Sequence, residues 1–531
     1  LNFPKLRTLN SWNNLPSGTR TLEHINFPSL EEVPSIYISA LRSLRWVSFA
    51  SLSSTSNIHI INCRNLESVS MPYLDHTTNG LNIYGNGKLK EISFVSLKEI
   101  ENSGVNVYNN KKMKRLSFPV LKTIHGRIYV ANSKALERLD FPALTSCTKC
   151  NIQFLNLKSI KKIELDKLKE ADSSVTITSN SKLRSISLKS LVTVETHLNI
   201  GQNKKLERLS LPELKKVKNL QVQQNPKLKA LNLPSLKKAD QVYVYQNQDM
   251  ETTSMERLVE VSNFQVVSNG DLISMGFRSL KKVEKQFRVT DLRSLKKFSF
   301  PSLESTEGCL QLSSFRRLEA IDLPKITEVQ CVTINGNPKL KTISMPSLVS
   351  LTNDFQINND GKLQTLELPR FRECRNFNVN MNRGDTEKVS FPALKTVNNF
   401  NVNLQYLGDL TTVSFPVIET IHSLRLSYNG KLKKVYFPKL KSVRQTLYVG
   451  YNRALESLEG LIKRLERVDN SLQIQHNDKL KALEFPALAS PPRNLYMSNI
   501  LSPQLEILRL PLQKSLKGGV QVSNGGNLKV L

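Results

Sequence analysis

The sequence predicts a repeat solenoid built mostly of short strands and turns, and three observations lead to this prediction. A large apolar residue followed by Pro recurs from Phe3-Pro4 to Leu510-Pro511, about 23 residues apart along most of the chain. Two short apolar segments and one turn accompany each copy. A repeat this short cannot enclose its own core, so neighbouring copies must bury one another. We therefore expect a right-handed, parallel β-helix-like rod of about 23 rungs of roughly 22 to 24 residues, filling residues 1–531 as a single domain.

Each rung begins with a short strand in which alternate side chains are apolar, as in Leu81 and Ile83. An alternation with a period of two is typical of a strand with one buried face. A turn follows three residues after the second apolar position, and it is commonly occupied by Asn, which tolerates left-handed backbone and bonds turn backbone through its amide. We expect these side chains to stack as an internal hydrogen-bonded ladder of Asn86, Asn110, Asn180, Asn203, Asn225, Asn247, Asn269, Asn337, Asn429, Asn452 and Asn477.

A second short strand follows the turn, with Leu89, Ile92 and Phe94 as an example. Proline then ends the strand at a place where a backbone N–H is not needed for pairing. The leucine spacing departs from this scheme within 454–468 and predicts one short helix there.

Both ends of the chain fall inside a repeat, since Leu1 opens in the middle of one copy and Leu531 stops within another. We expect the chain to be a fragment or a mature product. A solenoid has open strand edges at its two ends. Capping segments outside the chain, or end-to-end self-association with other chains, would cover them.

The composition is strongly basic, with 75 Lys and Arg against 45 Asp and Glu and a formal net charge of +30. One interpretation is a solvated solenoid surface, whose lysine stems cover apolar rung edges. The other is a surface that binds an acidic partner. No apolar run approaches the roughly 18 residues that a membrane helix needs.

The lysines recur at two repeat positions, which makes them candidates for binding a polyanion. The first position lies just before the apolar residue that follows the Asn turn, and it holds Lys88, Lys112, Lys182, Lys205, Lys227, Lys339, Lys362, Lys431 and Lys479. The second position follows the Pro-x-Leu segment or its equivalent, and it holds Lys98, Lys122, Lys169, Lys215, Lys237, Lys281, Arg372, Lys395 and Lys441.

The remaining chemistry-bearing residues are too scattered for a catalytic or metal site. The motif Cys147-x-x-Cys150 has no second pair to complete a zinc site, and the 7 His do not converge at one repeat position. Nucleophile and phosphate-binding motifs are missing from the sequence. We predict no enzymatic activity and no cofactor.

Cys309 and Cys331 share one repeat position in neighbouring rungs. Stacked strands lie about 4.8 Å apart, which is within the range that a disulfide bridges. The two residues are therefore either a disulfide or two small buried apolar side chains.

The consensus Leu-x-Ile-x-x-Asn-x-x-Leu-x-x-Leu-x-Phe-Pro-x-Leu-x-x-Val resembles the receptor L-domain type of leucine-rich repeat β-helix. That superfamily includes the ligand-binding domains of the insulin and epidermal growth factor receptors and GPI-anchored fungal cell-wall proteins. More loosely, the pattern is similar to surface leucine-rich repeats of bacteria and protists. The resemblance covers essentially the whole chain and implies an architecture, whereas a fold alone does not define a function. The sequence departs from receptor ectodomains in lacking cysteine-rich modules and glycosylation sequons.

These observations favour a non-enzymatic structural or adhesive protein of a cell surface, wall or extracellular assembly that binds acidic polysaccharide or acidic protein. One alternative is a cytoplasmic scaffold that docks on acidic proteins or nucleic acid, which the missing N-x-Ser/Thr sequons favour. Nucleic acid is the weaker partner, because the aromatic residues mostly occupy core positions instead of alternating with Lys. A further alternative is a ligand-binding receptor ectodomain, as the resemblance implies.

Overall fold

The computed structural model describes residues 1–10, 21–359, 363–382, 384–489, 492–499, 505–510, 520–524 and 529–530. Parallel strands stacked one above another account for almost all of its regular structure and form about 20 turns. This confirms the predicted class of fold, a nearly all-β solenoid. The residues group into two compact units, unit 1 (1–261 with 268–272) and unit 2 (262–267 with 273–531). The single continuous domain stays a prediction.

Unit 1 contains two strand positions in each rung, as the sequence predicts. The first position is long and is sometimes interrupted: Glu32–Ser39, Ser54–Ile61, His76–Tyr84, Glu99–Ile100, Gly104–Tyr108, Thr123–His125, Arg127–Ala131, Ser146–Thr148, Ile152–Leu155, Glu170–Ala171, Val175–Thr178, Thr193–Gly201, Lys216–Gln223 and Lys238–Tyr245. The second position is short: His24–Asn26, Trp46–Ser48, Ser68–Ser70, Glu91–Ser93, Arg115–Ser117, Arg138–Asp140, Lys162–Glu164, Ser185–Ser187, Arg208–Ser210, Ala230–Asn232 and Thr252–Ser254. The strand Glu260–Val267 contains the boundary between the two residue ranges.

Unit 2 repeats the arrangement. Its long position comprises Lys282–Thr290, Ser305–Ser313, Glu328–Asn335, Ser350–Leu351, Asp354–Asn359, Glu373–Asn382, Thr396–Gln405, Thr420–Ser427, Ser442–Gly450, Arg467–Val468, Ser471–Gln475, Asn494–Asn499 and Val520–Asn524. Its short position comprises Ser274–Gly276, Lys297–Ser299, Ala320–Asp322, Thr342–Ser344, Thr365–Glu367, Lys388–Ser390, Thr412–Ser414, Lys434–Tyr436, Ala482–Glu484, Ile507–Arg509 and Lys529–Val530.

The helix expected within 454–468 is a single turn, Glu459–Ile462. Leu461 and Ile462 are buried, so the leucine spacing marks core positions here. The predicted stretch is therefore mostly turn and only briefly helical. Among the described residues, no helix is long and apolar enough to cross a membrane.

The core of each unit consists of apolar columns that run from rung to rung. In unit 1, Val105 pairs with Ile128, which in turn pairs with Ile152, and each of these side chains is fully buried. In unit 2, Phe391 and Phe415 stack with ring centroids 5.3 Å apart. A one-residue slip of any strand would expose its apolar face, so the burial fixes the register.

The asparagines predicted at the turns are all fully buried, and their side chains join adjacent rungs. The backbone N–H of Asn203 donates to Oδ1 of Asn225 at 3.1 Å, and Nδ2 of Asn225 donates to the carbonyl of Ile200 at 2.9 Å. The same pattern links Asn180 to Asn203 and, in unit 2, Asn429 to Asn452. The expected hydrogen-bonded ladder is therefore present in both units.

The ladder asparagines do not themselves adopt the left-handed backbone that Asn tolerates. The left-handed residue is the one that precedes each ladder Asn, for example Gln202 with a φ of 57° and Tyr428 with a φ of 57°. The reason is geometric: the left-handed residue reverses the chain at the end of the strand, and this aims the next side chain inward. Asn then serves through its buried amide and not through its backbone freedom.

Candidate polyanion-binding edge

The turn after each ladder Asn places two residues in solvent. In the segment Asn203-Lys204-Lys205-Leu206, the first and last residues are buried, and the N–H of Leu206 donates to the carbonyl of Asn203 at 3.0 Å. The two central residues have no core to enter and are exposed. We call these two positions, repeated from rung to rung, the turn edge.

Lysine dominates the turn edge in the middle of unit 1. We call this part the basic edge and define it as Lys111, Lys112, Lys134, Lys158, Lys182, Lys204 and Lys205. All of these side chains are exposed. Within the described part of the chain, none of them makes an ion pair with a carboxylate.

Other lysines that the sequence singled out are neutralised by an acid one rung away. The two partners of such a pair occupy matching repeat positions in neighbouring rungs, so the rung spacing brings them together. These pairs are Lys98–Asp75 (3.5 Å), Lys227–Asp249 (3.0 Å), Lys281–Glu304 (3.9 Å), Lys431–Asp409 (2.7 Å) and Lys441–Glu419 (3.1 Å). The predicted columns are thus less uniformly basic than the sequence pattern indicates.

The rest of the predicted lysines are exposed, and no ion pair joins them to any described residue: Lys88, Lys112, Lys122, Lys169, Lys182, Lys205, Lys215, Lys237, Lys339, Lys395 and Lys479. Lys362 lies outside the described residues. Sequence reasoning missed Lys111, Lys134, Lys158 and Lys204, which occupy the earlier of the two turn positions. The dipeptides Lys111-Lys112 and Lys204-Lys205 are the signal that could have revealed this position.

A groove of about 730 Å³ lies next to the basic edge. Residues that precede the ladder Asn and residues that follow it both contribute to its lining: Lys158, Ser179, Ser181, Gln202, Lys204, Gln224, Pro226, Gln246 and Gln248. The groove therefore combines amide, hydroxyl and ammonium groups along several rungs.

The structure pairs four of the cysteines as the disulfides Cys309–Cys331 and Cys147–Cys150. Cys309 lies directly opposite Cys331 in neighbouring strands, with the two Cα atoms 4.4 Å apart. Among the described residues, no group of three or more His, Cys, Asp or Glu side chains could hold a metal ion.

Two other cysteine thiols, those of Cys63 and Cys374, are free and buried. Burial raises the pKa of Cys63 to about 11 and that of Cys374 to about 12. Both therefore remain protonated at neutral pH.

No family model matches the chain, and no curated protein matches its sequence. Among solved structures, a leucine-rich repeat protein from Bacteroides ovatus is 13% identical, with 83% of this chain and 87% of that chain covered and a TM-score of 0.19. TLR13 in complex with ssRNA13 is 14% identical, with 92% and 81% covered and a TM-score of 0.20. The pneumococcal vaccine antigen PcpA is 14% identical, with 66% and 89% covered and a TM-score of 0.18.

At such TM-scores the alignments carry no argument about function. The class of the protein follows from its own strands, registers and buried turn asparagines. It is a parallel β-solenoid whose rungs repeat buried leucines.

Proposed function

We propose that the protein is a non-enzymatic binding protein that holds an acidic polymer along the basic edge, as a structural or adhesive component of a cell surface, wall or extracellular assembly. The observation that carries this proposal is the row of lysines at the turn edge of unit 1 that no described carboxylate neutralises. An acidic polysaccharide and an acidic protein segment would each supply the required charge.

The electrostatics of stacked rungs support the proposal. Like charges about 5 Å apart repel by roughly 1 kcal/mol even at the dielectric constant of water, although salt weakens this repulsion. Elsewhere on the same solenoid, acids one rung away relieve the repulsion, as in the Lys229–Glu251 and Lys341–Glu319 pairs. An acidic polymer bound along the basic edge would provide the same relief there.

The chemistry of the edge favours such a polymer over single-stranded nucleic acid. Proteins that bind single strands stack bases on aromatic side chains. The residues of the basic edge and of the adjacent groove, all of them described, include no aromatic side chain. Charge pairing without base stacking is what the edge offers.

The Cys309–Cys331 pair supports the extracellular part of the proposal, because disulfides persist in oxidising compartments. Non-reducing peptide mapping of protein from its natural source tests this part. Recovery of the two cysteines as one linked peptide is expected. Two free thiols in that material would favour the cytoplasmic scaffold.

Charge reversal tests the binding edge. The variant Lys158→Glu, Lys182→Glu, Lys204→Glu and Lys205→Glu should weaken binding to acidic polymers by tenfold or more, and it should flatten the dependence of affinity on salt, because fewer counterions are released. A matched control reverses Lys122, Lys169, Lys215 and Lys237, which lie at the other repeat position of the same unit.

Equal affinity in the edge variant and the wild type would refute the basic edge as the binding surface. Loss of binding in the control alone would move the site to the other lysine column. Denaturation midpoints of both variants are needed to show that the solenoid remains folded.

A further inference from the structure

The groove beside the basic edge has two walls with different chemistry. One wall consists of the residues just before each ladder Asn, namely Ser179, Gln202, Gln224 and Gln246. The other consists of residues that follow the ladder position, namely Lys158, Ser181, Lys204, Pro226 and Gln248. Amide and hydroxyl groups therefore line the first wall, whereas the two ammonium groups of the groove both lie on the second wall.

The glutamines of the first wall occupy a conformation that disfavours them. Gln202, Gln224 and Gln246 have φ values of 57°, 54° and 53°. This left-handed region is uncommon for residues other than Gly, and Asn is several-fold enriched in it. The same column does carry Asn in earlier rungs of unit 1: Asn62, Asn109, Asn132 and Asn156.

Backbone preference thus does not account for three successive glutamines, since Asn would fit the turn better. Gln differs from Asn by one methylene group, which carries its amide further from the backbone. The longer reach of the amide toward the groove is the property that distinguishes these rungs.

The amides are linked along the wall and keep hydrogen-bonding capacity. Nε2 of Gln224 donates to Oε1 of Gln246 at 3.0 Å, and Oγ of Ser179 donates to Oε1 of Gln202 at 2.8 Å. A glutamine amide has two N–H donors and an oxygen that accepts two hydrogen bonds. The three glutamine side chains are exposed, so the remaining donors and acceptors are open to a ligand.

We propose that this groove binds an extended acidic glycan, a chain of uronate sugars, with its hydroxyl groups on the glutamine wall and its carboxylates on Lys158 and Lys204. Sugar hydroxyls both donate and accept hydrogen bonds, as amides do. The groove repeats at the rung spacing of about 4.8 Å, which suits a polymer with a similarly short repeat. This inference rests on the proposed function and specifies the class of acidic polymer that binds along the basic edge.

The test compares wild-type protein with Gln202→Asn/Gln224→Asn/Gln246→Asn by calorimetric titration with oligogalacturonate and with poly-L-glutamate. The substitution keeps each amide, shortens its reach and suits the left-handed turn, so stability should be equal or higher. The dissociation constant for oligogalacturonate should rise by about tenfold or more, while that for polyglutamate stays unchanged. The control Gln311→Asn/Gln356→Asn, on half-buried strand positions of unit 2, should alter neither.

The possible outcomes distinguish failure of the glycan assignment from failure of the proposed function. Binding of polyglutamate but not of oligogalacturonate by the wild type would overturn the glycan assignment and leave the proposed function standing. Binding of neither at low salt would overturn both. An unchanged affinity of the glutamine variant for oligogalacturonate, or an equal loss for both polymers, would also overturn the assignment. If the triple variant fails to fold, the single Gln224→Asn change gives the same comparison.

Discussion

Asn203 and Asn225 are joined through a buried hydrogen bond in which the backbone N–H of the first donates to Oδ1 of the second at 3.1 Å. The amide nitrogen of Asn225 simultaneously donates to the carbonyl of Ile200 at 2.9 Å. One side chain thus satisfies a donor and an acceptor of the preceding rung. A buried polar group left without a partner costs about 1 to 3 kcal/mol. The ladder therefore contributes stability at every rung that contains it.

Replacing Asn225 with Ala should lower the free energy of unfolding by about 2 to 5 kcal/mol, because the N–H of Asn203 and the carbonyl of Ile200 lose their partner. Urea denaturation of the purified protein measures the change. Asn232→Ala removes an exposed amide from the next short strand and serves as the control. Equal effects of the two substitutions would contradict the structural role of the ladder.

Replacing Ala40 with Gly should stabilise unit 1 by roughly 1 kcal/mol, because Ala40 has a φ of 58° that glycine adopts without a clash at Cβ. Thermal unfolding provides the measurement. Ala239→Gly, at a buried strand position without positive φ, should instead destabilise the protein. A loss of stability at position 40 would show that the methyl group there matters more than the backbone.

Glu419 should titrate below the usual range of a glutamate, because the hydrogen bond and charge of Lys441 lower its pKa. Since the folded pKa is depressed, its stabilising effect is present above the unfolded pKa and is lost as the pH falls through the folded value. The variant Lys441→Met should return the pKa toward normal, as measured by NMR titration of the carboxyl carbon. An unchanged pKa in that variant would assign the shift to another neighbour.

The thiols of Cys63 and Cys374 should resist alkylation at neutral pH, since burial raises their pKa values to about 11 and about 12 and the thiolate is the reactive form. Intact-mass measurement after iodoacetamide treatment should show no addition to either residue in the folded protein and additions to both in urea. Rapid modification of the folded protein would mean that these rungs open readily.

The repeat spacing predicted the strands, the turns and the burial of Asn203 because these depend on neighbouring rungs being alike. The ion pair between Lys227 and Asp249 could have been predicted from the sequence for the same reason, since the two residues occupy one repeat position in successive rungs. The backbone conformation of each turn residue could not be predicted in this way. Which residue takes positive φ depends on the exact path of the backbone, and sequence spacing does not resolve it.

The groove could not be predicted for a related reason. Its first wall depends on the left-handed backbone of Gln202, Gln224 and Gln246. Glutamine is not among the residues enriched in that conformation, so the sequence does not predict it. The aromatic stack of Tyr406, Tyr428 and Tyr451, with successive centroids 4.5 Å apart, arises at the same repeat position in unit 2. Recurrence of tyrosine at that position is a signal that sequence reasoning could have used.

The bonds that join neighbouring rungs of the described asparagine ladder have one direction: a later rung supplies the side chain that completes an earlier one. A ribosome delivers the chain from its N-terminus, so each newly formed turn contains unmet polar groups until the following rung emerges and covers them. Ordering would then advance vectorially during synthesis, one step behind the exit of the chain. A chain released early would end in a rung whose buried backbone N–H lacks the acceptor that the next asparagine supplies.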